Sequence, residues 1–182
     1  MAAQRVILTY EDYAALPAEG RRYELHLGEL SVTPAPSSGH QEISANLGDL
    51  IRLHVRSRGL GKALYAPLDC ILSESTVVQP DLVFLETGRL SQLSDRGIEG
   101  PPTLVVEITS PSSRQLDRGA KLQLYARYKV PYYWIVDPED RTIEVFVLVG
   151  GGYDLAVRAS GRAPVSLPPF PDLRLVPASI WP

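Results

Sequence analysis

The feature that most constrains this chain is a single carboxylate inside an otherwise apolar run, Thr-Leu-Val-Val-Glu-Ile-Thr at 103–109. A short, nearly continuous apolar run is typical of a strand that is buried on both faces of a sheet. An ionised carboxylate in such a strand is costly unless it is paired with a cation or coordinates a metal ion. Glu107 is therefore the first candidate for a functional residue.

A second carboxylate stands at the start of another predicted strand, where Asp81 follows Pro80 and opens the apolar segment 81–85. Two strands of one sheet can bring Asp81 and Glu107 to the same edge, where carboxylates would hold a hard cation such as Mg²⁺. Such an ion polarises a phosphodiester and lowers the pKa of a bound water. The two residues are equally compatible with a structural alternative, in which Asp81 caps a turn and Glu107 pairs with a buried arginine.

A helix predicted from Asp117 to about Lys129 supplies a third element. Lys121, Tyr125 and Tyr128 are spaced i, i+4, i+7 and therefore share one face of this helix. A lysine on that face can reach back to the end of the strand, where it would orient a water or stabilise phosphate charge. The alternative is a surface ion pair between Lys121 and Asp117, worth about a few tenths of a kcal/mol.

The remaining pattern predicts a single α/β domain over residues 1–182, with a mixed sheet and helices packed on it. A Pro-rich tail at 160–182 is expected to pack on the body of the domain. The other predicted elements are a short helix opened at Thr9, a hairpin around Gly28, a long helix that ends near Gly59, strand segments within 62–73, 132–137 and 141–149, and a last hairpin around 150–152.

Composition bears on the partners of the protein and on its cellular compartment. The formal net charge of −3 supplies no global attraction to nucleic acid, so any such binding needs a local basic surface or metal ions. The single cysteine, Cys70, has no internal partner and favours a reducing compartment. The N-terminal residues do not resemble a signal peptide, and no apolar run approaches the ~20 residues that span a bilayer. We therefore expect a cytoplasmic protein without a membrane partner.

Several short motifs, taken in order, resemble the Uma-two (Uma2) family of restriction-endonuclease-like domains. The resemblance extends from about residue 8 to residue 176. The motifs are RYELHLGEL at 22–30, PSSGH at 36–40, QPDLVFL at 79–85, PPTLVVEITSPSS at 101–113, a Lys-x3-Tyr helix and VPYYWIVDP at 130–138. The resemblance implies a PD-(D/E)XK nuclease core with flanking helices and added hairpins.

The resemblance also implies roles for individual residues. Pro80-Asp81 would be the PD dipeptide, Glu107 the acid of the second half-motif, and Ile108 a metal ligand through its backbone carbonyl. The sequence departs from the usual pattern at Thr109, where most PD-(D/E)XK proteins have lysine. Either Lys121 substitutes for that lysine from the helix, or activity has been lost.

Other residues are weaker candidates. Glu24, in the predicted hairpin, would complete a second metal shell or lie as a carboxylate on the strand surface. His40 would contact phosphate or cap the helix that follows it. Arg52 and Arg56 would form a phosphate-facing patch or part of a solvated helix face.

The sequence therefore predicts a metal-dependent phosphodiesterase that acts on DNA and uses Mg²⁺ or Mn²⁺. Asp81, Glu107 and Ile108 would hold the metal, and Lys121 would contact the phosphate or the attacking water. A homodimer is expected, because two symmetric sites serve the cutting of both strands. The alternatives are a catalytically inactive nuclease fold that acts as a binding or assembly module, and a small-molecule metallohydrolase with the same ligands.

Overall fold

The structure, a computed structural model, describes residues 6–17 and 21–182. Its first elements are α1 (Tyr10–Ala14), β1 (Arg22–His26), β2 (Glu29–Thr33), α2 (Ser38–Ser57), β3 (Gly61–Tyr65), β4 (Cys70–Ser73), β5 (Thr76–Val78), β6 (Leu82–Glu86), β7 (Leu93–Ser94), β8 (Gly97–Glu99) and β9 (Leu104–Ile108). The later elements are α3 (Arg114–Leu116), α4 (Leu122–Arg127), β10 (Tyr132–Asp137), β11 (Thr142–Val149), β12 (Gly152–Ala159), β13 (Val165–Leu167) and β14 (Phe170–Leu175).

The strands within the described residues form two six-stranded sheets and one ribbon. The outer sheet has the order β2-β1-β5-β4-β8-β7, and the central sheet has the order β12-β11-β10-β9-β6-β3. The ribbon consists of β13 and β14. Each large sheet mixes parallel and antiparallel pairs, since β9 runs parallel to β10 and β4 runs parallel to β8. The predicted α/β class with a mixed sheet is confirmed.

The predicted hairpin around Gly28 is confirmed as β1 and β2, with His26 opposite Glu29. Leu27 and Gly28 between them have φ values of +52° and +86°. A two-residue turn with both central φ values positive matches the twist of paired strands, and glycine adopts that conformation without strain. A Cβ at Gly28 would also lie 2.4 Å from Cγ2 of Ile7, so the turn excludes a larger residue.

The long helix α2 covers one face of the central sheet. The Ser37 hydroxyl caps it by accepting a hydrogen bond from the His40 backbone amide at 3.2 Å. Apolar residues at helical spacing form its buried stripe, namely Ile43, Leu47, Ile51 and Val55. They share a core with the apolar residues of the ribbon and the C-terminal segment, which are Leu167, Phe170, Leu175 and Ile180.

Strand β9 is buried on both faces because different layers cover its two sides. Leu104, Val106 and Ile108 lie in the core that contains α2. Val105 lies in a second core, formed with α4 and the outer sheet. Because side chains alternate along a strand, Glu107 is directed to the same side as Val105, toward α4.

The connection from β9 to the parallel strand β10 runs through the helical segment α3–α4. This is the crossover that a parallel pair requires. The helix predicted from Asp117 to about Lys129 instead begins at Arg114 and is not α-helical throughout. Residues Asp117–Lys121 form a π-helical turn between α3 and α4. Such turns are rare and frequently lie at functional sites.

None of the helices in the described part of the chain is long and apolar enough to cross a membrane.

Candidate active site

The strand pairing brings the two predicted carboxylates to one edge of the central sheet. β6 and β9 are antiparallel, with Leu82 opposite Val106, so the start of β6 lies beside the end of β9. Asp81 immediately precedes β6, and Glu107 is next to the last residue of β9. Both side chains line one cavity of about 700 Å³.

Glu107 contacts two side chains of the helical segment between β9 and β10, Lys121 and Tyr125. The Tyr125 hydroxyl donates a hydrogen bond to Oε1 of Glu107 at 2.6 Å. Nζ of Lys121 lies 3.0 Å from the same oxygen. The alternative in which Glu107 pairs with a buried arginine is therefore wrong, because its cationic partner is a lysine. The hydrogen bonds that Glu107 receives from described residues both end on Oε1.

Lys121 is the centre of a buried cluster of carboxylates. Its residue is 6% exposed, and its Nζ lies 3.4 Å from Oε2 of Glu24 and 3.8 Å from Oδ1 of Asp117, in addition to the contact with Glu107. The interpretation of Lys121 as a surface partner of Asp117 is wrong, because the residue is buried and its ammonium also contacts Glu24 and Glu107. Burial acts to lower the pKa of Lys121, but the three carboxylates outweigh it and raise that pKa above its ordinary value.

Glu24 belongs to this cluster and is not a surface carboxylate. It is 3% exposed, so the strand-surface interpretation is wrong. The Gln79 backbone amide donates to its Oε1 at 2.8 Å, and Nε2 of His26 lies 3.1 Å from its Oε2. Burial acts to raise the pKa of Glu24, but Lys121 and the hydrogen bonds from His26 and Gln79 lower it well below its ordinary value.

The pKa of Glu107 is shifted in the opposite direction from that of Glu24. Burial raises its pKa to about 8 against the opposing effect of Lys121, and the negative charges of Asp117, Asp81 and Glu24 contribute to the increase. The cluster therefore contains one carboxylate that is readily ionised and one that holds its proton unusually well.

The carboxylate of Asp81 is held near the end of β9 by contacts with Ile108, Arg22 and His40. The Ile108 backbone amide donates to its Oδ2 at 2.8 Å, and Nη1 of Arg22 lies 3.3 Å from its Oδ1. Nε2 of His40 lies 3.2 Å from Oδ2 and 3.1 Å from the Ile108 carbonyl oxygen. Burial acts to raise the pKa of Asp81, but His40, the Ile108 amide and Arg22 lower it.

The weaker candidates separate into two groups. The His40 side chain lines the cavity, and it is the Ser37 hydroxyl that caps α2. Arg52 and Arg56, in contrast, are not among the residues that line the cavity. Nη1 of Arg52 lies 3.5 Å from the Tyr65 hydroxyl, and Arg56 is exposed to solvent.

Two residues that contact the predicted carboxylates were given no role from the sequence, although Tyr125 was placed on the helix face of Lys121. Arg22 pairs with Asp81, and Tyr125 bonds to Glu107. A signal existed for both. Arg22, Glu24 and His26 alternate along β1 and so lie on one face, and Tyr125 follows Lys121 by four residues on the helix.

The oxygen atoms at this edge suit a hard divalent cation. Mg²⁺ and Mn²⁺ prefer carboxylate, carbonyl and water oxygens, and Mg²⁺ is often bound through only one or two carboxylates. Asp81, Glu107 and the Ile108 carbonyl supply that donor set on the cavity wall. Within residues 6–17 and 21–182, no three His, Cys, Asp or Glu side chains are grouped as a metal shell. Any cation here would therefore keep several waters and bind with modest affinity.

Comparisons with known proteins identify the family and the fold. Residues 10–178 match the model of the Uma2 family, described as putative restriction endonuclease. The crystal structure of a putative nuclease belonging to DUF820 from Anabaena variabilis ATCC 29413 superposes with a TM-score of 0.76, over 95% of this chain and 97% of that chain. The two sequences are 19% identical, so this likeness shows a shared fold. No curated protein matches the chain significantly.

Proposed function

Because the chain belongs to the Uma2 family of putative restriction endonucleases, we propose that it is a divalent-metal-dependent nuclease that hydrolyses DNA phosphodiesters. The observation that carries this proposal is the position of Lys121, whose Nζ lies 3.0 Å from Oε1 of Glu107 in the cavity that Asp81 also lines. The three side chains that we propose for metal and phosphate chemistry lie together at one strand end, which supports the proposal.

Asp81, Glu107 and the Ile108 carbonyl would hold Mg²⁺ or Mn²⁺. The ion, when bound, would polarise the phosphodiester and lower the pKa of a bound water. Glu24 would keep Lys121 in place through the contact between Nζ and Oε2 at 3.4 Å. His40 would contact the phosphate or position Asp81 and the Ile108 carbonyl, both of which its Nε2 already reaches.

Lys121 would take the role of the lysine that is absent at Thr109. Thr109 is buried, and its backbone amide donates to the Val136 carbonyl at 2.8 Å, which ties it to the sheet. Lys121 approaches Glu107 from the helix instead. An ammonium fixed there would stabilise charge that develops on the phosphate in the transition state.

The inactive binding module is a weaker proposal for a physical reason. Buried ion pairs are often no more stabilising than well-packed apolar residues of similar volume. A lysine buried among Glu24, Glu107 and Asp117 is therefore a poor choice for stability alone. Its presence supports a role in chemistry.

Cleavage assays test the proposal directly. Plasmid DNA and single-stranded DNA would be incubated with the purified protein and Mn²⁺ or Mg²⁺, or with EDTA in place of metal. We expect cleavage with metal and none with EDTA, because the water and the phosphate both need the cation. Cleavage that persists in EDTA would contradict metal dependence, and no cleavage with any divalent metal would favour the inactive module.

The proposed state is a cytoplasmic homodimer, since closed two-fold dimers are the commonest oligomers. Light scattering at micromolar concentration should give twice the mass of the chain. A mass equal to that of one chain would rule the dimer out.

A further inference from the structure

The groups that we propose to react are buried side chains on the wall of a cavity. Asp81, Glu107 and Lys121 are 5%, 4% and 6% exposed, although all three line the cavity. Duplex DNA is a stiff rod, with a persistence length of about 50 nm, so its paired backbone does not fold into a pocket. A flexible single strand can enter such a cavity more easily than a stiff duplex can. Burial of the site therefore favours an unpaired substrate.

The charge of the cavity wall leads to the same conclusion. A protein can hold a duplex by its phosphates through about 6–10 such contacts with Lys and Arg. Here the chain carries a net charge of −3, and two of the cavity's basic residues, Arg22 and Lys121, are already paired with carboxylates. Arg141 also lines the cavity and forms no ion pair with a carboxylate of the described residues. One such arginine fits a short contact with a single strand.

Trp181 supplies a fixed aromatic surface in this cavity. It is half-buried and lines the cavity together with Leu116 and Pro138. The preceding residue, Ile180, is fully buried, and its carbonyl accepts a hydrogen bond from Nδ2 of Asn46 at 3.2 Å. The indole is therefore attached to the body of the domain, and its position favours stacking with an unpaired base.

The backbone of Arg141 is in a conformation that favours glycine. Its φ is +50°, in the turn that joins β10 to β11. The turn is ordered by Asp137, whose Oδ1 accepts hydrogen bonds from the amides of Glu139 and Asp140 at 3.1 and 3.2 Å. A non-glycine residue in this region is strained. Arg141 adopts this conformation although it is not glycine, and its side chain lines the cavity. Lys129 has the same conformation outside the cavity, so what distinguishes Arg141 is its place on the cavity wall.

We propose that the cavity takes an unpaired segment of single-stranded DNA, with one base stacked on Trp181 and an adjacent phosphate bound by Arg141. This inference rests on the proposed nuclease function and specifies its substrate. The carboxylates and Lys121 would then meet a phosphodiester that enters the cavity with the unpaired strand. A duplex would be a substrate only where it frays or is distorted.

Binding measured in EDTA separates this inference from the nuclease proposal, because no metal-dependent cleavage takes place. The probes are a labelled single-stranded oligonucleotide and the duplex of the same sequence, followed by fluorescence anisotropy. We expect the single strand to bind at least about tenfold more tightly. Trp181→Ala should weaken single-strand binding by roughly 5- to 150-fold, the loss typical of one stacked base. The single strand should also quench tryptophan fluorescence, since Trp181 is accessible and the other tryptophan, Trp134, is fully buried.

Arg141→Gly has a matched control in Lys129→Gly. Lys129 is also basic, exposed and in the left-handed region, with a φ of +60°, but it does not line the cavity. Both glycine variants should be at least as stable as wild type. Only Arg141→Gly should weaken binding, and it should make the slope of log K against log salt shallower by about 0.7, as expected for one phosphate contact.

Three results would overturn the inference: duplex binding as tight as single-strand binding, unchanged binding by Trp181→Ala, or equal losses in Arg141→Gly and Lys129→Gly. Failure of the nuclease proposal would look different. Single-strand binding would still depend on Trp181 and Arg141, but no metal would support cleavage.

Discussion

Replacing Glu107 by glutamine is expected to abolish Mn²⁺ binding and to lower the rate of DNA cleavage by a factor on the order of 10²–10³ or more. Glutamine keeps an oxygen that accepts the hydrogen bonds of Tyr125 and Lys121, but it cannot lose a proton to become a charged ligand when a cation binds. Because burial already raises the pKa of Glu107 to about 8, a neutral side chain at this position should leave the metal-free fold intact.

A matched control comes from Glu144, which is 3% exposed and lies on β11 outside the cavity. It pairs with Arg118 and Arg158, so Glu144→Gln should lose stability and keep cleavage. Both variants would be compared in Mn²⁺-dependent cleavage and in thermal unfolding. Wild-type cleavage by Glu107→Gln would remove this residue from the site.

Replacing Lys121 by methionine is expected to destabilise the metal-free protein and to remove cleavage. The change leaves Glu24, Glu107 and Asp117 buried without their cation. Breaking a buried ion pair in this way costs about 3–5 kcal/mol. Loss of one electrostatic contact to the transition state costs on the order of 10²–10³ in rate. Mn²⁺ should restore part of the lost stability, since it supplies positive charge to the same carboxylates.

Thermal unfolding with and without Mn²⁺, together with cleavage assays, measures these effects. Mn²⁺ should raise the unfolding temperature of Lys121→Met more than that of wild type. The control is Lys129→Met, which changes an exposed lysine outside the cavity and should alter neither property. If Lys121→Met kept both its stability and its cleavage rate, the ammonium would have no part in the chemistry.

Much of the fold was predictable because its signals are local. The run at 103–109 reads as a strand buried on both faces, and β9 has that burial because α2 covers one side and α4 the other. The hairpin around Gly28 and the strand at 132–137 are likewise confirmed. The π-helical turn at 117–121 was not predictable, since no residue pattern distinguishes it from an α-helix.

The meeting of Asp81 and Glu107 was predictable because one sheet contains both residues. Asp81 and Glu107 meet because antiparallel neighbours place the start of one strand beside the end of the other. Glu24 lies on the outer sheet, so its contact with Lys121 depends on how the layers pack, which spacing does not encode. The same reason explains why the pairing of Arg22 with Asp81 was missed. The roles proposed for all these residues remain predictions.

Calorimetric titration with Mn²⁺ tests most directly whether the carboxylates at this strand end form a metal site. We expect saturable binding of modest affinity in wild type, equal or tighter binding in Lys121→Met, where a competing cation is gone, and no binding in Glu107→Gln. Equal Mn²⁺ affinity in wild type and Glu107→Gln would contradict the proposed metal site.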